Sequence, residues 1–204
     1  MSSIKLKHSG GNSVIIAAPD SNPASDRTLK LPSDGDGTIL TTNSATGKIL
    51  QVVSTTLTTV SSNSTATTAI WSYNDAALKA TITAANASNK FLIMGSVVVG
   101  VNGLAVSSIL QDGGSNLTGA VGTSVSSRKA STSGDDNGNA EGVFTLSHNV
   151  VITAGDTNAH NFHYAFWHNA GSTQTIYLNR SNDDSDHAKR GRYISNITVM
   201  EIAA

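Results

Sequence analysis

Phe91-Leu92-Ile93-Met94-Gly95-Ser96-Val97-Val98-Val99-Gly100-Val101 is the stretch from which the fold is read. Successive side chains of a strand point to opposite faces, so Phe91, Ile93, Val97, Val99 and Val101 line one face and Leu92, Met94 and Val98 the other. Neither face is polar. In an antiparallel sandwich only one face meets the core, so such a strand needs a second cover. Another subunit is the simplest cover; a central strand enclosed on both sides by its own chain is the alternative. Residues 193–202 repeat the signal, with Tyr193, Ile197 and Val199 facing one way and Ile194, Met200 and Ile202 the other. Full burial of an apolar side chain is worth about 1.5–3 kcal/mol, too much to forgo several times in a marginally stable fold. An obligate oligomer is expected.

Working outward, 141–153 alternates cleanly. Phe144, Leu146, His148, Val150 and Ile152 share one face, and Thr145, Ser147 and Asn149 the other, which predicts a half-buried strand. Further strands are predicted near 48–56, 66–73, 77–84, 104–111, 117–128, 159–169 and 173–180, separated by Gly, Ser, Asn and Asp turns. The fold class is all-β, a jelly-roll-like β-sandwich knob over 48–204. Residues 1–47 differ. They hold all three prolines, Pro19, Pro23 and Pro32, and only brief extended pieces at Ile4–Lys7, Ser13–Ala17, Arg27–Leu31 and Thr38–Thr42. Proline lacks a ladder donor and is kept out of central strands, so this segment reads as an extended N-terminal arm that orders against a neighbour.

Composition narrows the function. The 204 residues carry a net charge of −1 without a basic stripe, which argues against nucleic acid. Without cysteine, disulfides, thiolate catalysis and Cys-ligated zinc are excluded. No run approaches the length of an apolar membrane span, and the first residues lack an apolar leader, so no membrane insertion is expected. Two glutamates, no nucleotide-binding loop and no Gly-x-Ser-x-Gly elbow leave no catalytic signature, and no enzyme is expected.

Several spaced segments, in one order, resemble phage fibre proteins, particularly those of marine and cyanobacterial phages. In the knob they are Lys48-Ile-Leu-Gln-Val-Val-Ser-Thr-Thr56, Thr81-Ile-Thr83 with Ser88-Asn-Lys-Phe-Leu-Ile93, Thr175-Ile-Tyr-Leu-Asn-Arg-Ser181 and Ile197-Thr-Val-Met-Glu-Ile202. In the arm they are Ile4-Lys-Leu-Lys-His-Ser-Gly-Gly-Asn12 and Arg27-Thr-Leu-Lys-Leu-Pro-Ser-Asp-Gly-Asp-Gly-Thr-Ile-Leu40. The resemblance implies a virion appendage, a homotrimer assembled in the host cytoplasm, whose C-terminal knob is exposed. Its arm would dock on a phage capsid or tail protein. The chain has no shaft, heptads or β-helical repeats between arm and knob, so a capsid head fibre or decoration protein stands beside a tail fibre. A free carbohydrate-binding module is the rival from another class.

The residues expected at the trimer interface are Leu92, Met94, Val99, His163, Trp167, Ile194 and Met200. Of six histidines, five lie between 148 and 187, but alternation places His160 and His168 with Phe162, Tyr164 and Phe166, and His163 with Asn161 and Trp167. No metal triad or cofactor is expected. On a threefold axis, copies of His163 would bind a cation or pair through water; otherwise His163 is a hydrogen-bonded seam residue. Contact with a host-surface glycan or protein is assigned to the polar turns, 131–141 with Asp135, Asp136 and Asn137, and 181–192 with Asp183, Asp184, Asp186, Arg190 and Arg192. Against that stand a solvated turn and a self-neutralising loop. Trp71, Tyr73 and Trp167 would stack on a sugar if exposed, but read better as core or interface.

Overall fold

The computed structural model describes residues 3–7, 9–17, 21, 48–66, 69–73, 75–102, 105–136, 142–188 and 190–204. The chain divides into two compact units, Met1–Ser44 and Ala45–Ala204. In the first, β1 (Ser3–Lys7) and β2 (Ser13–Ala17) pair antiparallel, with Ile4 opposite Ile16 and Lys5 opposite Ile15. The turn uses Gly11 at φ 98°, a conformation that glycine adopts without strain. The extended pieces expected at 27–31 and 38–42, the three prolines and the expected boundary at Ala45–Gly47 lie outside the described residues.

The second unit is an all-β sandwich. Its strands are β3 (Ile49–Leu57), β4 (Ser61–Thr65), β5 (Trp71–Tyr73), β6 (Lys79–Thr83), β7 (Lys90–Gly100) and β8 (Val106–Asp112). They are followed by β9 (Ser115–Asn116), β10 (Ser133–Asp135), β11 (Val143–Thr153), β12 (Ala159–His168), β13 (Gln174–Leu178) and β14 (Ser195–Ile202). One sheet has the order β3-β14-β7-β13-β4, with β11 on the free edge of β7. β14 takes Lys90–Ser96 of β7, and β13 takes Val99 and Gly100. The other sheet runs β10-β8-β12-β5, with β6 beside β12 and β9 beside β8. Every pairing is antiparallel. The chain crosses between sheets from β4 to β5, β6 to β7, β7 to β8, β10 to β11, β11 to β12 and β12 to β13, which wraps one core.

That core holds Phe91, Ile93, Val97 and Val99 of β7, Phe162, Tyr164 and Phe166 of β12, and Ile197 and Val199 of β14. Gly95 sits among them because a Cβ there would lie 2.6 Å from the Tyr164 hydroxyl. Without it, that hydroxyl donates to the Asn196 carbonyl at 3.1 Å. Val99, expected at a subunit interface, belongs instead to this intramolecular core, since its parity matches Phe91 and Ile93.

Two expected strands are corrected. Of the segment expected at 66–73 only Trp71–Tyr73 is a strand among the described residues, with β4 lying before it at Ser61–Thr65, and 117–128 is a series of turns with one isolated bridge between Val125 and Arg128. Gly119 (φ 84°) and Ser126 (φ 55°) take left-handed conformations that a strand does not accommodate.

Candidate functional site

The outer face of the β3–β14–β7–β11 sheet carries a cross-strand row. Val52 pairs with Met200, Met200 with Leu92, and Leu92 with Val151, so four apolar side chains run from edge to edge. At about 4.8 Å per strand the row spans roughly 14 Å. Val52 and Val151, on the edge strands, are 53% and 56% exposed; Leu92 and Met200, on the central strands, are half-buried by their neighbours. Half-buried Met94 adjoins the row, Ile49 and Leu50 are exposed beside it, and Ile194 is exposed just before β14. The doubly apolar pattern of β7 and β14 thus leaves one face in the core and the other half-buried, with Val98 buried, between the exposed Val52 and Val151 of the flanking strands.

The opposite sheet differs. Its outer face holds Ile109, Gln111, His163 and Ala165, all buried although they point away from the core. Segment 122–132 supplies the cover: Trp167 Nε1 donates to Ser131 Oγ at 3.0 Å, and Lys129 Nζ stands 5.5 Å above the Trp167 ring. Ser124, Lys129 and Ala130 also close a cavity of about 230 Å³ over Ile70 and Ile109. His163 is fully buried by its own chain, which corrects its assignment to a subunit interface, whereas Trp167 remains half-buried. His163 is fully buried, with Nε2 2.9 Å from Ser72 Oγ and Nδ1 2.9 Å from the Asn161 carbonyl. Trp71 packs on Tyr73 and Phe166 with ring centroids 5.5 Å away in each case, as core aromatics do.

The polar loops are arranged unequally. In 180–192, Arg190 pairs with Asp183 at 2.5 Å, Arg192 with Asp184, and the Arg180 guanidinium stacks 4.1 Å from the Tyr177 ring. Backbone and side-chain hydrogen bonds from Ser185 lower the Asp183 pKa, and the hydrogen bond from Arg192 lowers that of Asp184. Acids and bases neutralise one another within the loop. Asp184, Ser185, Asp186, His187, Arg190 and Arg192 line a cavity of about 360 Å³. In the other turn, Ser133–Asp135 forms β10 on the edge of β8, with Asp135 and Asp136 exposed; Asn137 and the rest of the turn to 141 lie outside the described residues.

Three polar groups inside the sandwich were not foreseen as a set. Glu201 is fully buried; it accepts from Ala85 N at 2.7 Å and from Asn89 Nδ2 and Gln51 Nε2 at 2.5 Å. Burial alone would raise its pKa, but bonds from Asn89, Gln51 and the Ala85 and Asn86 amides together hold it below the ordinary range. Its signal was present, because alternation places Glu201 on the same face as Ile197 and Val199. Asn179 at φ 63° donates to the Leu57 and Thr59 carbonyls at 2.8 and 2.9 Å and accepts from Ser195 Oγ at 2.6 Å. His148 is buried, as expected, yet only Nδ1 has a partner, the Tyr164 hydroxyl at 3.4 Å. Burial pushes its pKa down from 6.5 to about 4.

At one end of the sandwich, His160 lies between Asp112, at 2.7 Å from Nδ1, and Asp156, at 3.3 Å from Nε2. It stacks on Phe162 and borders a cavity of about 580 Å³. Among the described residues, no three His, Asp or Glu side chains are grouped as a metal site.

No family model matches this chain, and no curated protein matches it. Among solved structures, a chain from "Structure of infectious bursal disease virus Gx strain" is similar over 94% of this chain, with 13% identity and a TM-score of 0.37. This chain spans about half of that one, 52%.

Proposed function

We propose that this protein is a structural component of a phage virion, a homotrimeric fibre or appendage that contributes to host attachment. The observation that carries the reading is the open row Val52–Met200–Leu92–Val151. A monomeric sandwich gains nothing from an apolar stripe across the outer face of one of its two six-stranded sheets, whereas a subunit contact removes it from water. The segment resemblance to phage fibres supports the virion setting. Residues 1–47 serve as the arm that docks on a capsid or tail protein, and the 181–192 and 131–141 turns are the surfaces offered to a host glycan or protein. A head fibre or decoration protein has the same architecture and differs in its docking partner.

Light scattering coupled to size exclusion tests the assembly. The expected mass is three times the 21.0 kDa chain. A well-folded monomer removes the reading and favours a free carbohydrate-binding module.

A further inference from the structure

The covered sheet brings together a pair of residues separated by 91 positions. Ser72 on β5 is exposed, and its Oγ lies 2.9 Å from Nε2 of the fully buried His163 on β12. His163 Nδ1 faces the Asn161 carbonyl at 2.9 Å, and a carbonyl only accepts. The proton of the neutral ring therefore sits on Nδ1, and Nε2 turns its lone pair toward Ser72. Ser72 Oγ also lies 2.8 Å from Gln111 Oε1, so one hydroxyl proton faces two acceptors. Rotating the Gln111 and Asn116 amides end over end resolves the conflict, because amide oxygen and nitrogen have the same shape. Gln111 Nε2 then donates to Ser72 Oγ, Ser72 donates to His163, and the Gln111–Asn116 contact at 3.1 Å survives with its direction reversed. The result is the hydroxyl of an exposed serine bonded to an imidazole whose far nitrogen is fixed by a carbonyl, the arrangement of an activated nucleophile.

A receptacle lies alongside. The cross-strand row Ser72–Ala165–Ile109 ends at the cavity of about 230 Å³, whose wall also includes Ile70, two residues from Ser72, and Asn116. Its mixed lining and size suit a short acyl chain.

We propose that Ser72 is a nucleophile activated by His163, able to take a short acyl group from an ester. The Ser72 Oγ–carbon bond forms as its proton passes to His163 Nε2. The carbon–oxygen bond to the leaving alcohol then breaks, and His163 returns the proton to that oxygen. Water hydrolyses the acyl-serine by the same steps. No linear motif announces the pair, since strand pairing alone unites it. This chemistry is independent of the trimer and the virion setting.

The test is labelling of the intact protein with a fluorophosphonate, in which the Ser72 oxygen–phosphorus bond forms and fluoride leaves, followed by peptide mapping. The expected result is one adduct, on Ser72, in preference to the exposed serines Ser62 and Ser147 of the same chain. His163→Gln should slow it by about 10²-fold or more, the lower range for a lost general base. p-Nitrophenyl acetate should release one equivalent of nitrophenolate in a burst that Ser72→Ala abolishes. No adduct, equal labelling of Ser62 and Ser147, or an undiminished rate in folded His163→Gln overturns the proposal. If that variant does not fold, the wild-type rate in heavy water decides: slowing supports proton transfer to His163, and an unchanged rate overturns it.

Discussion

The two outer faces of the sandwich receive the same kind of residues and treat them differently. On the β10–β8–β12–β5 sheet, Ile109 and Ala165 point away from the core yet are buried, because segment 122–132 lies over that sheet. On the β3–β14–β7–β11 sheet, Val52 and Val151 stand in the open, at the ends of a row that the described residues do not cover. An apolar outer face in the sequence thus does not say whether the chain itself covers it.

Charge insertion should break the comparison most strongly. Ile109→Asp would place an unpaired carboxylate under the covering segment, a cost of several kcal/mol against a total stability of about 5–15 kcal/mol. Circular dichroism should then report an unfolded or insoluble chain. Leu92→Asp, on the open face, should keep the folded spectrum while reducing the solution mass to that of one chain. If both variants unfold, or both leave the mass unchanged, the distinction between the faces fails.

The interior shared by both sheets should respond to acid. His148 is held neutral, its pKa lowered from 6.5 to about 4, so protons bind the unfolded chain more readily than the folded one. Its contribution is complete above pH 6.5 and is lost as pH falls toward 4, by about 3 kcal/mol in all at roughly 1.4 kcal/mol per pH unit. The depressed Glu201 carboxyl acts lower down, its stabilisation being present above its unfolded value and lost as pH falls through its folded one. Urea titrations between pH 7 and 4 should show the first loss, and His148→Leu should remove it. A His148→Leu curve parallel to wild type would mean that other groups set the slope.

A smaller effect is expected at the cover itself. Trp167→Phe keeps one aromatic ring but loses the indole N–H and its bond to Ser131, costing about 1 kcal/mol by chemical denaturation. The smallest effect on stability belongs to Arg190→Ser with Arg192→Ser, whose partners Asp183 and Asp184 lie in the same loop. The melting temperature and trimer mass should hold while adsorption of the assembled particle to cells falls. A broken trimer would assign these bases to intersubunit ion pairs, and unchanged adsorption would leave the loop a self-neutralised turn.

Strand periodicity was legible where burial enforces it. The alternation in 90–101, 141–153 and 193–202 placed Phe91, Leu146 and Val199 on their core faces, because a one-residue slip would expose every one of them. It failed at 117–128, where small side chains and glycine leave no face for burial to select. The site was less legible than the fold. Leu92, Met94, Met200 and Ile194 do reach the outer surface, whereas Val99 has core parity, His163 is fully buried by its own chain and half-buried Trp167 is held by Ser131 and Lys129.

The sequence by itself determined that the knob is all-β and that both faces of its central strands are apolar, since each property is local and repeats every second residue. Tertiary structure alone decided which outer face the chain covers and which pairs meet across long separations. Glu201 with Asn89 and Ser72 with His163 are joined by sheet order and register, which depend on the whole set of strand pairings rather than on any one strand.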